Sequence, residues 1–182
     1  TPPSALERPA PAPAASWRRP LRLAVLVPLA LYASARLRDA RWWDLLDDLN
    51  LAVHEAGHIV FSPFGDQLAA LGGSLFQLLV PIAFVVYFWR TRQRWASGMT
   101  VAWVAVNCLN VGVYAADARA QDLPLLGGEN VIHDWWFVLI NWDLLAYDQA
   151  IGRAFHAAGF FLFLLAIGSG IAFAGDGESQ RS

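Results

Sequence analysis

Residues 68–89 read LAALGGSLFQLLVPIAFVVYFW and contain no Asp, Glu, Lys or Arg. Wound as a helix at 1.5 Å per residue, the stretch is roughly 30 Å long, the thickness of a bilayer's hydrocarbon core. Two further windows, 95–116 and 154–174, are equally free of formal charge. A fourth, 23–35, is shorter, but Arg22 and Arg36 flank it and their long side chains can snorkel to extend it. The composition agrees. Hydrophobic residues make up 57% and charged residues 15%, against about 25% charged in soluble domains. The expected fold is an all-α integral membrane protein with about four transmembrane helices, near 21–37, 68–89, 95–116 and 151–174. Residues 21–174 then form a single membrane domain, with the lipid bilayer as the first partner.

Just after residues 68–89 comes a short link with Arg90, Arg92 and Arg94, bounded by Trp89 and Trp95. Arginine-rich short links stay cytoplasmic, and Trp prefers the water–lipid boundary. This orientation puts the N-terminus and C-terminus in the cytoplasm of a bacterial-type inner membrane. The outer side then holds the segment before residue 62 and the segment 117–150. Acids follow the same division: Glu7, Asp176 and Glu178 fall inside and the remaining ones outside. A net charge of −2 makes nucleic acid an unexpected partner. Cys108 is the sole cysteine, which excludes an intrachain disulfide and any Cys-rich zinc site.

Just before the stretch, Ser62, Pro63 and Gly65 stop a helix expected over 44–61. This helix carries His54-Glu55-Ala56-Gly57-His58, an H-E-x-x-H pattern. A shuffled chain of this composition matches the pattern roughly twice in a thousand trials, so chance explains it poorly. Residues i and i+4 share a helix face, so both imidazoles can grip one ion, and Glu55 can take a proton from a water there. The expected cofactor is zinc, with His54 and His58 as ligands and Glu55 as general base. Asp47, Leu51, His54 and His58 fall on one stripe, with Trp42 and Trp43 just upstream at the membrane boundary.

Zinc needs a third protein ligand from the same side of the membrane. Asp117, at the end of the third span, and His133, in the outer segment, are the main candidates; Glu129 and Asp134 are weaker ones. Asp134 can instead orient a liganding histidine. The pattern of zincins that place a third His after a Gly is absent, since Phe61 and Phe64 stand there. His133-Asp134 opens an apolar run to Tyr147 that reads as a surface-lying helix capped by Asp134. Residues 125–130, with Gly-Gly at 127–128, are expected to hold a turn.

An HExxH helix followed by spans, with Asn110 and Asp117 late in a later span, resembles the site-two-type intramembrane zinc proteases. The resemblance covers about residues 49–117 and is specific at His54–His58. It implies His54 and His58 as zinc ligands, Glu55 as the base that activates water, Asp117 as third ligand and Asn110 nearby, in an enzyme that cuts a peptide bond near the membrane. The chain departs from that family's later motif, which has Pro and then Asp-Gly; here Val111 follows Asn110 and Ala118 follows Asp117.

A second expectation is a non-catalytic subunit of a larger membrane complex, photosynthetic or respiratory, with the motif a relic or a structural metal clip. Six of the ten prolines fall within residues 1–20, a tail without a core of its own that other membrane protein subunits are expected to hold. Arg18, Arg19 and Arg22, an apolar run and Ala33-Ser34-Ala35 also resemble a signal peptide; the stretch is read as a retained span. On this second reading, Gly152-x-x-x-His156 resembles the small-x-x-x-His arrangement with which light-harvesting polypeptides bind chlorophyll, making His156 a candidate chlorophyll or haem ligand. Residues 175–182 read as a C-terminal tail.

Overall fold

A computed structural model describes residues 17–126 and 131–175. The tail over 1–16, the Gly-Gly turn at 127–128, Glu129 and residues 176–182 lie outside the described residues. Six α-helices follow in order: α1 (Arg18–Arg38), α2 (Leu45–Phe61), α3 (Asp66–Arg90), α4 (Arg94–Ala116), α5 (Asp134–Asn141) and α6 (Asp148–Ala172). The protein is all-α, and α1, α3, α4 and α6 are long and apolar enough to cross a membrane. Each of the four expected spans lies within, or ends within two residues of, one of these helices.

The central helix is α4. Val101, Ala102, Ala105, Val106 and Leu109 on it are buried, and they pack with Ala33 of α1 and with Phe163 and Ala166 of α6. The outer faces of the bundle are apolar too: Leu79, Ile82, Phe84, Phe161, Leu164 and Leu165 are exposed large hydrophobics. In water such a surface would drive association; in lipid it costs nothing. Gly170 meets Leu26 and Met99, whereas Gly168 has no neighbour, so only one of this pair serves packing.

A buried polar network sets the position of α2. Arg36 and Asp47 are both essentially inaccessible. Arg36 Nη1 donates to Asp47 Oδ2 at 2.9 Å and Nη2 to Asp47 Oδ1 at 3.0 Å. Arg36 also donates to the Trp42 carbonyl and to Asn110 Oδ1 at 2.6 Å, and Asn110 Nδ2 donates to Asp47 Oδ1 at 2.7 Å. The paired carboxylate and these hydrogen bonds offset the cost of burying the two terminal nitrogens of the guanidinium, while Nε is left without a partner among the described residues. Asp44 caps α2, accepting from the Leu46 amide at 2.8 Å, while Asp47 Oδ2 accepts from the Asp44 amide at 2.7 Å. Further along, Trp103 Nε1 donates to Asn50 Oδ1 at 2.8 Å. One face of α2 is thereby tied to α1 and α4.

On its other side α2 folds back onto α3 through the turn Ser62–Phe64 and Gly65, whose φ of 97° suits glycine alone. The two helices touch backbone to backbone: a Cβ on Gly72 would sit 2.7 Å from the Gly57 carbonyl oxygen.

α5 differs from the sequence expectation in two ways. His133, not Asp134, is its cap, accepting from the Trp136 amide at 3.3 Å. The helix also ends at Asn141, well before Tyr147, because Asp143 takes a positive φ of 56° and breaks it. At the other end of the segment Arg119 Nε donates to Asp148 Oδ2 at 2.8 Å, joining the chain after α4 to the start of α6.

Candidate metal centre

α2 presents His54 and His58 one turn apart, with ring centroids separated by 4.8 Å. Their Nε2 atoms converge on one carboxylate oxygen: Asp134 Oδ2 lies 3.2 Å from His54 Nε2 and 3.3 Å from His58 Nε2. Two atoms that bind a tetrahedral zinc at 2.0–2.1 Å stand roughly 3.3 Å from one another, so the spacing matches a ligand set. One ligand atom from each of the three residues lies within 4.8 Å of the others.

Outer contacts fix the tautomers. His54 Nδ1 lies 3.1 Å from Gln77 Oε1, and His58 Nδ1 lies 2.8 Å from the Ala69 carbonyl oxygen. Both acceptors come from α3 and neither can donate, so each Nδ1 carries a proton, and each Nε2, directed at Asp134, is the atom left to hold either a second proton or a metal ion. Liganding histidines are held in this way in metal sites generally. Asp134 is held in turn by the Tyr114 hydroxyl, which donates to Oδ2 at 3.1 Å and lies 3.3 Å from the Asp134 amide. Gly73 makes room for the imidazole of His54: a Cβ there would fall 2.6 Å from His54 Cδ2.

The charges are coupled. The hydrogen bond to Asp134 pushes His58 up to about 9, against the opposing effect of burial. Burial pushes Asp134 up, but the hydrogen bonds from the two imidazoles outweigh it and hold the carboxyl at about 2. A carboxylate kept ionised between two imidazole nitrogens is the donor chemistry that a divalent cation takes. The residues present fit zinc.

Glu55, half-buried, lines the same cavity as the three candidate ligands, and its charge is felt at His58. The cavity is about 800 Å³. Trp42, Trp43, Leu51, Val111, Leu123 and Leu126 line it with other apolar residues, and the polar cluster forms one part of its wall. Such a cleft, apolar with a few convergent polar groups, is the usual form of a ligand site.

The other expected residues lie elsewhere. Asp117 Oδ1 and Oδ2 accept from the Asp122 and Leu123 amides, both at 3.1 Å, so the carboxylate closes the turn after α4. His133 Nδ1 is occupied as the cap of α5, and its Nε2 faces Asp117 Oδ2 at 3.5 Å. Burial lowers the His133 pKa against the pull of Asp117. Neither residue joins the cluster around His54 and His58. Asn110 holds Arg36 and Asp47 and makes no hydrogen bond to either histidine. Asp134, expected as a weaker candidate or an orienting acid, is the acid whose oxygen lies against both histidines and so the third member of the group that could hold a metal ion. Gly152 packs against α4: a Cβ there would meet Ala116 Cβ and the Gly112 carbonyl oxygen, both at 2.7 Å. His156 lies in a separate groove between α1 and α6.

Sequence reasoning missed Gln77, Gly73 and Tyr114. Gln77 had a signal, being the one amide side chain within the uncharged run 68–89. Comparison with protein-family models, curated proteins and solved structures returns no match.

Proposed function

We propose that this chain is a membrane-embedded zinc hydrolase of peptidase type. The observation that carries the reading is the convergence of His54 Nε2, His58 Nε2 and Asp134 Oδ2 beside Glu55 at the wall of an apolar cleft. Three protein donors are the number found in catalytic zinc sites, which keep a further position for water or substrate. Zinc, when bound, supplies a Lewis acid that lowers the pKa of water and polarises a carbonyl. The chain's own residues do the rest. Gln77 and the Ala69 carbonyl keep both histidines in the liganding tautomer. Tyr114 steadies Asp134. Glu55 accepts the proton of the attacking water and returns it to the leaving amine. The apolar walls receive a hydrophobic peptide segment and thin the water around the reacting bond.

The proposed orientation has Arg90, Arg92 and Arg94 on the cytoplasmic side and the metal centre toward the outer side. A cysteine placed at Arg92 in a Cys108→Ala background then reacts with an impermeant maleimide only in inside-out vesicles; labelling in right-side-out vesicles would reverse the topology.

The function itself is tested with Glu55→Gln. The variant keeps one zinc per chain and loses cleavage of apolar fluorogenic peptides in detergent by about 10²–10⁴-fold, the usual contribution of a general base. A wild-type protein that holds zinc but cleaves none of these peptides would instead favour a structural metal clip in an accessory subunit.

A further inference from the structure

A second concavity, about 670 Å³, runs between α1 and α6 and shares no lining residue with the cavity over the metal ligands. Arg38 lies on its α1 side and Arg153 and His156 on its α6 side, with Leu37, Phe160 and Phe161 as apolar lining. Among the described residues, neither Arg38 nor Arg153 makes a hydrogen bond, ion pair or ring contact. Both are exposed, as are Phe160 and Phe161. Some arginines near helix ends are engaged by the protein, with Arg36 buried on Asp47, Arg94 stacked on Trp89 and Arg119 paired with Asp148, whereas Arg19 and Arg90, like Arg38 and Arg153, make no such contact among the described residues. Two cations from facing helices, with no anion paired to them among the described residues, therefore share one groove with a histidine.

Its location selects the ligand. Arg38 is the last residue of α1, and Arg153 lies in the second turn of α6. This is where two apolar helices leave the hydrocarbon, the depth of lipid headgroups. Phe160 and Phe161 lie about two turns further into α6, where acyl chains run. A guanidinium pair matches phosphate geometry by parallel N–H donors, and the His156 imidazole adds one more N–H donor.

We propose that this groove binds the phosphate of an anionic phospholipid, held by Arg38, Arg153 and His156, with its acyl chains against Phe160 and Phe161. The proposal also gives His156 a role that needs no pigment.

The test uses the full chain in detergent and native mass spectrometry with phosphatidylglycerol or phosphatidylcholine added. Wild type should retain phosphatidylglycerol in preference to phosphatidylcholine. Neutralising each arginine (Arg38→Gln, Arg153→Gln) should weaken retention about fivefold, and the double variant roughly 25-fold. Arg38→Lys with Arg153→Lys should recover most of the charge-dependent part. Thermal melts of the variants confirm that the fold is kept. Equal retention of the two lipids, or unchanged retention in the double glutamine variant, would overturn the proposal. Full displacement of the lipid by millimolar inorganic phosphate would do so too, since the ligand would then be the free anion.

Discussion

Asp134 and Asp117 are both acids beside a histidine, yet their surroundings give them different work. Asp134 faces the Nε2 atoms of two imidazoles anchored on their far sides through Nδ1, whereas Asp117 is spent on backbone amides. Asp134→Ala should therefore lower zinc affinity by more than 100-fold, beyond the 10–100-fold typical of an orienting residue. Asp117→Ala should leave one zinc per chain and cost about 1–2 kcal/mol of stability, the scale of a lost cap; isothermal titration and melts on both variants separate the two. The sequence carried His54, Glu55 and His58 plainly, since a fixed spacing on one helix needs no tertiary knowledge. The third ligand was not legible. Asp117, His133 and Asp134 all lie on the expected side, and only the packing of α5 against α3 decides which carboxylate reaches the imidazoles.

Protons and metal compete at the same atoms. In the metal-free protein His58 holds its proton up to about 9, above its ordinary 6.5. Its contribution to stability is complete below 6.5 and lost as pH rises through 9. Asp134 is held at about 2, below its ordinary 3.8, so its contribution is complete above 3.8 and lost as pH falls through 2. Urea melts in chelator should show this pair's stabilisation intact between pH 3.8 and 6.5 and declining above. A midpoint that does not change from pH 6 to 9 would mean that the pair does not form.

At the scale of elements, the site depends on the α2–α3 hairpin. Gly57 and Gly72 bring the backbones together and Gly73 leaves space for the His54 ring. Gly73→Ala should overpack this contact by about 1–3 kcal/mol and reduce zinc binding, while Gly168→Ala, facing open space, should do neither. The uncharged run 68–89 announced a span, but nothing in it said that its glycines would meet the motif helix. The opposite face of α2 depends on Arg36 and Asp47. Arg36→Leu alone strands a buried carboxylate and should cost about 3–5 kcal/mol in thermal melts, whereas Arg36→Met with Asp47→Leu should be far milder. Equal losses in the two would show that the pair is not buried as described. Asp47 was legible as part of the histidine stripe; its partner Arg36 read as a snorkelling end of the first span, because sequence alone does not tell which end residues turn inward.

On the scale of the whole molecule, the apolar helices α1, α3 and α6 form a frame around α4, and α2 and α5 fill one end of it. The frame was legible because uncharged runs of bilayer length have few other uses. The short helices were less so: α5 stops at Asn141 where a backbone break at Asp143 overrides an apolar run that continues to Tyr147. A zinc hydrolase built this way must hold one metal ion at this end of the bundle through α2 and α5 together. Zinc K-edge X-ray absorption on the purified full chain tests it most directly. The expected result is one zinc per chain with two imidazole nitrogens and a carboxylate oxygen at about 2.0–2.2 Å, lost in both His54→Ala and Asp134→Ala. A wild-type protein without zinc, or a zinc spectrum that survives both substitutions unchanged, would contradict it.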